Sequence, residues 1–431
     1  MHDNPTEREA RLHRLCERTR RCSWAIAASV AFGCSASSPA PSASAVPTPV
    51  PPGGVEVAAN AERGATSDAA RPIERHGERQ SEPAPTPLGL AVVRRGPRPP
   101  WDDVTSAPPA APEAASPTPA SPNGLWRLER TIRVGVGYLY RALPTPDGAS
   151  LVVLSARDGG LRCYDRASGK LRRRIDLPDY VEFEDADFAL VGEPTPRALV
   201  VRASGVVSYD LVGESEPRAL ALPAGDGVAA ARPGLWGFVR REVETQTGAL
   251  SLRWLDADGS STPALEVSTS ERPDAWSLSN DGRRLAINYY PSNQTQLLDL
   301  EHGTLSASIP APEYGANVAF APSGQYLALG GARLALHALD GRLLATDEAF
   351  DNNISDVRFT PDGALLLVSA YDSRVRSYAL PAAGAALPER LPKPQVLRHA
   401  NHTNVYALGV SRDGRLLVTP SGDQTIKVWV R

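Results

Sequence analysis

From Val405 to the C-terminal end, apolar and polar positions alternate in short runs. Val405 to Val410, Leu416 to Thr419 and Ile426 to Val430 are the runs, and Asp413-Gly414 and Gly422-Asp423 separate them. A period of two belongs to strands with a buried face, and Asp-Gly marks a tight turn because Gly tolerates positive φ. The stretch therefore predicts three antiparallel strands. The pattern repeats upstream. Aligned on Trp429, the equivalent positions are Tyr164, Tyr209, Trp254, Leu298, His337 and Tyr378, at steps of 45, 45, 44, 39, 41 and 51 residues. A second marker agrees: turns fall at Asp147-Gly148, Asp281-Gly282, Ser323-Gly324, Asp362-Gly363 and Asp413-Gly414. Residues 177–268 lack the Asp-Gly turn, and Arg197 or Gly234 is expected to serve there.

Repeats of about 40–45 residues, each a small sheet, point to a ring of stacked sheets. One such sheet cannot bury both faces alone, and its edges invite aggregation; radial stacking covers the faces. The expected fold is all-β, a seven-bladed β-propeller over residues 123–431. The last repeat lacks sequence for a fourth strand. The segment Leu125 to Val134, with Leu128, Ile132 and Val134 at strand positions, is expected to pair beside Lys427–Val430 and close the ring.

The last unit resembles a WD40 repeat through its loop His, Asp-Gly turn, Gly-Asp turn and closing Trp. The resemblance implies a hydrogen-bonded set of His402, Thr419 or Ser421, Asp423 and Trp429 inside the blade. It also implies turn-capping scaffold roles for Asp158 and Asp372, which stand six residues before Tyr164 and Tyr378 as Asp423 does before Trp429. The run Tyr164-Asp165-Arg166-Ala167-Ser168-Gly169-Lys170 is compatible with looser, YVTN-like repeats.

The N-terminal part reads differently. Six arginines between Arg8 and Arg21 precede the apolar run Trp24–Gly33, far short of the roughly 20 residues that span a bilayer. Residues 1–33 are read as an export signal. The run ends Ala31-Phe32-Gly33-Cys34, which resembles the lipobox of bacterial lipoproteins and implies lipidation of Cys34. Residues 34–122, rich in Pro, Ala and Ser, cannot bury enough apolar surface to order themselves and are expected to be a disordered linker. The apolar island Leu88–Val93 inside it is read as a sticky patch or a strand lying against the propeller, rather than a docking motif.

A formal net charge of −3 gives no pull toward nucleic acid or anionic lipid, so any membrane contact is expected through the lipid anchor alone. The four cysteines show neither metal spacing nor a disulfide framework. His399-x-x-His402 lies in a loop with no third ligand in a recognised spacing, so no metal or other cofactor is expected. No nucleophile elbow, phosphate loop or Cys-x-x-Cys occurs, so no catalytic residue is assigned. What remains is surface. The loops entering each inner strand, with the turns between second and third strands, offer Tyr138, Tyr140, Tyr180, Asp274, Tyr314, Phe350, Asn352, Asn353, Asn404 and Tyr406. Aromatics and amides around a shallow ring suit a protein or peptide partner. The expected function is a monomeric, non-enzymatic binding scaffold, lipid-anchored in a bacterial cell envelope. The alternatives are a lactonase- or dehydrogenase-like propeller enzyme and a glycan-binding sensor.

Overall fold

The computed structural model of the chain describes residues 92–95, 97 and 125–431, with breaks at 136–138, 156–158, 178–185, 193–195, 203, 214, 226, 233, 243–246, 257–259, 291, 314–316, 383 and 400–402. The described residues form strands and turns, gathered into seven antiparallel sheets. Six blades follow the chain: 139–176, 186–220, 227–269, 272–310, 317–347 and 354–398. In each, the first strand lies innermost, against the first strand of a neighbouring blade. The seventh blade takes three strands from the C-terminal end, Gly409–Val410, Leu416–Pro420 and Thr425–Val430. Its fourth is Arg127–Arg133, antiparallel to Thr425–Val430, with Arg127 opposite Val430 and Arg133 opposite Thr425.

All seven repeat-marking residues lie on the third strand of their blade and are buried, from Tyr378 at 0% exposure to His337 at 8%. Six of them, all but His337, belong to clusters shared with a neighbouring blade. The buried apolar residues form seven clusters, and each cluster straddles one seam. Val152 and Leu161 meet Phe188 and Tyr209 between blades one and two. Leu199 meets Phe238 between two and three. Leu252 and Trp254 meet Leu285 at the third seam, and Leu297 meets Phe320 at the fourth. Leu336 shares a cluster with Tyr378, Leu367 with Trp429, and Val418 and Val428 with Leu151 and Tyr164. The last of these joins blade seven to blade one. A blade pulled from the ring would expose two such faces, which is why the repeats fold as a ring.

The Asp-Gly turns are more than glycine positions. Gly148, Gly282, Gly363 and Gly414 do sit at positive φ, between +67° and +71°. Two residues before each Asp, a Ser or Thr hydroxyl donates to that carboxylate: Thr145 to Asp147 at 2.6 Å, Ser279 to Asp281 at 2.5 Å, Thr360 to Asp362 at 2.5 Å and Ser411 to Asp413 at 2.5 Å. The same hydroxyl accepts the N–H that opens the second strand, as from Leu416 to Ser411 at 2.9 Å. In the third blade the turn falls at Gly234, φ +76°, whereas Arg197 opens the strand Arg197–Arg202 of the second blade.

Two details go beyond the expectations. Leu128 does not bury: a bulge between Leu128 and Arg130 leaves it 46% exposed, and Trp126 goes inside instead, at 3%. Four residues of the expected linker, Val92–Arg95, are ordered as a fifth strand on the outer edge of the third blade, running from Val92 opposite Ser268 to Arg95 opposite Leu265. Apart from Pro97, the rest of the 1–122 region, with Cys34, lies outside the described residues.

Candidate functional site

The inner strands carry polar side chains at the end where the chain enters them, and these stitch neighbouring blades together. Arg141 of blade one donates to both carboxylate oxygens of Asp187 in blade two at 2.6 Å, and to the Val228 carbonyl of blade three at 3.1 Å. Asn317 of blade five donates to the Ser355 carbonyl of blade six at 2.9 Å. Ser355 then donates to the Val405 carbonyl at 2.6 Å, and Asp356 accepts from the Leu408 N–H at 3.0 Å, both on the approach to blade seven.

Around this end three tyrosines meet edge to face. Tyr406 lies between Tyr140, ring centroids 5.9 Å apart at 87°, and Tyr371, 6.0 Å apart at 65°. They come from three blades: Tyr140 from the inner strand of the first, Tyr406 from the entry to the seventh, and Tyr371 from the turn between the second and third strands of the sixth. Burial pushes the Tyr371 phenol up to about 12, and the carboxylates of Asp274 and Asp356 add to the rise. It stays a protonated donor across the physiological range. Asp274 itself pairs with Arg272 at 3.7 Å.

The other candidates at this end divide. Asn352 is exposed and donates from Nδ2 to the Tyr371 carbonyl at 3.4 Å, while Asn353 accepts the Tyr371 N–H on its own carbonyl at 3.0 Å. Asn404 is half-buried and its carbonyl accepts from Gly422 N–H at 2.9 Å. Phe350 is a packing partner: the Arg376 guanidinium stacks over its ring at 4.3 Å. Tyr138, Tyr180 and Tyr314 lie outside the described residues. Tyr371 escaped the sequence reading. Its signal was available, since it directly precedes the turn residue Asp372.

Inside the seventh blade, Thr419 is the hub. It accepts from Trp429 Nε1 at 3.0 Å and sits 2.6 Å from His399 Nε2. His399 makes this contact; His402 lies outside the described residues. Desolvation by burial, aided by the nearby Lys427 ammonium, lowers His399 to a pKa of about 4, so the ring is neutral. The Thr419 hydroxyl also donates toward the Lys427 carbonyl at 3.4 Å. Nδ1 lies 4.0 Å from the Asp423 carboxylate. Asp423 caps its own turn, accepting from the Thr425 N–H at 2.9 Å and hydroxyl at 2.6 Å. Ser421 is fully buried and donates to Thr403 at 3.2 Å. In the sixth blade Asp372 accepts from the Arg374 N–H at 3.2 Å and from Arg376 at 2.6 Å. Asp158 lies outside the described residues. Among the described residues no group of three or more His, Cys, Asp or Glu is placed to hold a metal ion.

A family-model comparison falls on blades five to seven. Residues 341–378 and 394–430 match the family model "WD domain, G-beta repeat". Each matched stretch starts near the outer strand of one blade and ends on the third strand of the next, so the sequence repeat is offset from the blade by one strand. Two repeats of this seven-bladed β-propeller are thus similar to WD40 repeats. A stretch of 140 residues, 32% of this chain, is 29% identical to Echinoderm microtubule-associated protein-like 3 of Homo sapiens. The aligned stretch spans 15% of that relative's length. The offset ties blades five, six and seven together, because each matched repeat contributes strands to two successive blades.

Proposed function

We propose that this propeller is a non-enzymatic scaffold that holds a protein or peptide at its tyrosine-rich end, tethered to a bacterial cell envelope by a lipid on Cys34. The observation that carries the binding reading is the Tyr140–Tyr406–Tyr371 contact. Aromatic rings with hydroxyl tips supply large contact area at little entropic cost, and such residues dominate binding energy where they cluster. The charges nearby are already paired within the ring, as Arg141 is with Asp187, so this end offers positioning rather than a nucleophile with its base. The relative's name associates it with microtubules, and that association stays with the relative.

A photoreactive residue at exposed Asn352, in the full chain and its native membrane fraction, should give a discrete polypeptide adduct. Tyr371→Ala with Tyr406→Ala should lower that adduct at least tenfold, the scale of about 1.4 kcal/mol that a single aromatic anchor carries. Adducts unaffected by the double substitution would remove the tyrosines from the docking face.

Tethering rests on the basic stretch, the short apolar run and the Ala31-Phe32-Gly33-Cys34 sequence. Cys34→Ser should abolish fatty-acid labelling and release the protein from membranes. Parent protein that takes up no label, with the variant fractionating like it, would overturn the anchor.

A further inference from the structure

On the outer edge of the first blade, the strand Leu171–Asp176 carries three consecutive arginines. The two flanking ones are neutralised. Arg172 is paired with Asp165 and donates from Nη1 to Ser150 Oγ at 3.3 Å, and Arg174 pairs with Asp176 at 2.7 Å. Arg173, between them, makes no hydrogen bond or ion pair among the described residues, although it is only half-exposed. A partly desolvated guanidinium without a counter-charge is costly unless an anion comes to it.

Arg173 lines a cavity of ≈ 360 Å³ between blades one and two. One wall is polar: Arg172, Arg173 and the hydroxyls of Thr145 and Ser150. The facing wall, from blade two, is apolar: Pro196, Leu211 and Val212. Leu211 is buried and Val212, 70% exposed, forms the lip. Cys163 closes the back, its thiol held above its usual pKa by burial, so it contributes an apolar surface rather than a charge. Asp147 is the carboxylate near this thiol; it is exposed and already accepts from the Thr145 hydroxyl and the Ala149 N–H.

We infer that this cleft binds a small amphipathic anion: a carboxylate or phosphate head on Arg173, with a short apolar group against Pro196, Leu211 and Val212. The volume lies at the low end for small-molecule sites of roughly 300–1,000 Å³, so it admits a compact ligand and not a folded partner. A planar guanidinium suits either oxyanion, by paired N–H donation. The site is separate from the tyrosine end and does not depend on the scaffold reading.

The test is calorimetric titration of the full chain with hexanoate and hexyl phosphate, against hexanol and inorganic phosphate. One or both amphipathic anions should bind saturably with one site per chain, and which head binds tighter identifies the preferred oxyanion. Hexanol and inorganic phosphate should each bind at least tenfold more weakly. Arg173→Gln should weaken the anions at least tenfold, and Arg173→Lys should keep most of the affinity, which separates charge from packing. Absence of binding by both anions, hexanol matching hexanoate, inorganic phosphate matching hexyl phosphate, or full affinity in Arg173→Gln would each overturn the site.

Discussion

A chain lacking residues 123–134 is expected to lose cooperative unfolding or to be recovered insoluble, although only one of its strands is missing. The strand Arg127–Arg133 is the outer cover of the blade that ends the chain, and its loss bares the hydrogen-bonding edge of Thr425–Val430. It also holds two seams. Trp126 is 3% exposed in the cluster between blades six and seven, donating from Nε1 to Ser377 Oγ at 3.2 Å. Its backbone is clasped by the Gln395 amide, with N–H to Oε1 at 2.9 Å and Nε2 to the Trp126 carbonyl at 2.6 Å. Ile132 sits in the seam between blades seven and one, and Glu129 takes Arg166 of blade one on both oxygens, at 2.8 and 2.7 Å. Three blades thus depend on one strand drawn from the far end of the domain. A contact joining residue 127 to residue 430 closes a loop of the whole domain, so losing it affects every seam and does not merely fray an end. A gentler version keeps the strand: Trp126→Ala should cost about 3–5 kcal/mol, the range for emptying a large aromatic site. Urea unfolding of the full chain reads both. A deletion variant as stable as the parent would show that the strand is dispensable.

The ring was legible because the third strand of every blade keeps one large buried residue at a nearly fixed spacing. Tyr164, Tyr209, Trp254, Leu298, His337, Tyr378 and Trp429 differ in chemistry but share a location, and burial selects size more strongly than type. The turns were legible for a similar local reason, positive φ at glycine. What was not legible depended on contacts distant in sequence or on small offsets. Trp126 and Leu128 stand two residues apart, and which one is buried is decided by a bulge and by Gln395, 269 residues away. His399 and His402 both precede the seventh blade, and spacing alone did not single out His399, which bonds Thr419. His399 stands directly after the outer strand Gln395–Arg398 of blade six. Of the tyrosine end, Tyr140 and Tyr406 could be named from the inner-strand entries. Tyr371 joins them from a turn in blade six that the period of two does not mark. The arginine cleft was hidden altogether, because three identical residues in a row do not reveal which two find carboxylates.

Acidification from pH 7 to about 4 should remove roughly 3 kcal/mol of stability through His399 alone. The ring is buried, bonded to Thr419 through Nε2 and held neutral, with its pKa at about 4 against 6.5 for an unhindered histidine. Below pH 6.5 the unfolded chain takes up a proton at this position and the folded chain does not. The unfolded state then binds more protons, so stability falls as pH falls, and the loss is complete once pH has passed the folded value. At about 1.4 kcal/mol per pH unit, a window from 6.5 to about 4 gives the figure of roughly 3 kcal/mol. His337 is lowered in the same direction by its own burial and adds to the fall. Carboxylates act later. Asp210, held down to about 2 by the N–H groups of Val212 and Gly213, contributes stability above its unfolded pKa and loses it only below about pH 4. The two windows therefore separate histidine from aspartate. His399→Gln keeps a hydrogen-bonding side chain for Thr419 but has no proton to gain. Urea midpoints of the two proteins, taken at pH 7, 5.5 and 4.5, should converge as pH falls, because the parent loses the His399 contribution and the variant does not. Parallel decline of both proteins would show that the His399–Thr419–Trp429 hub accepts the proton without loss.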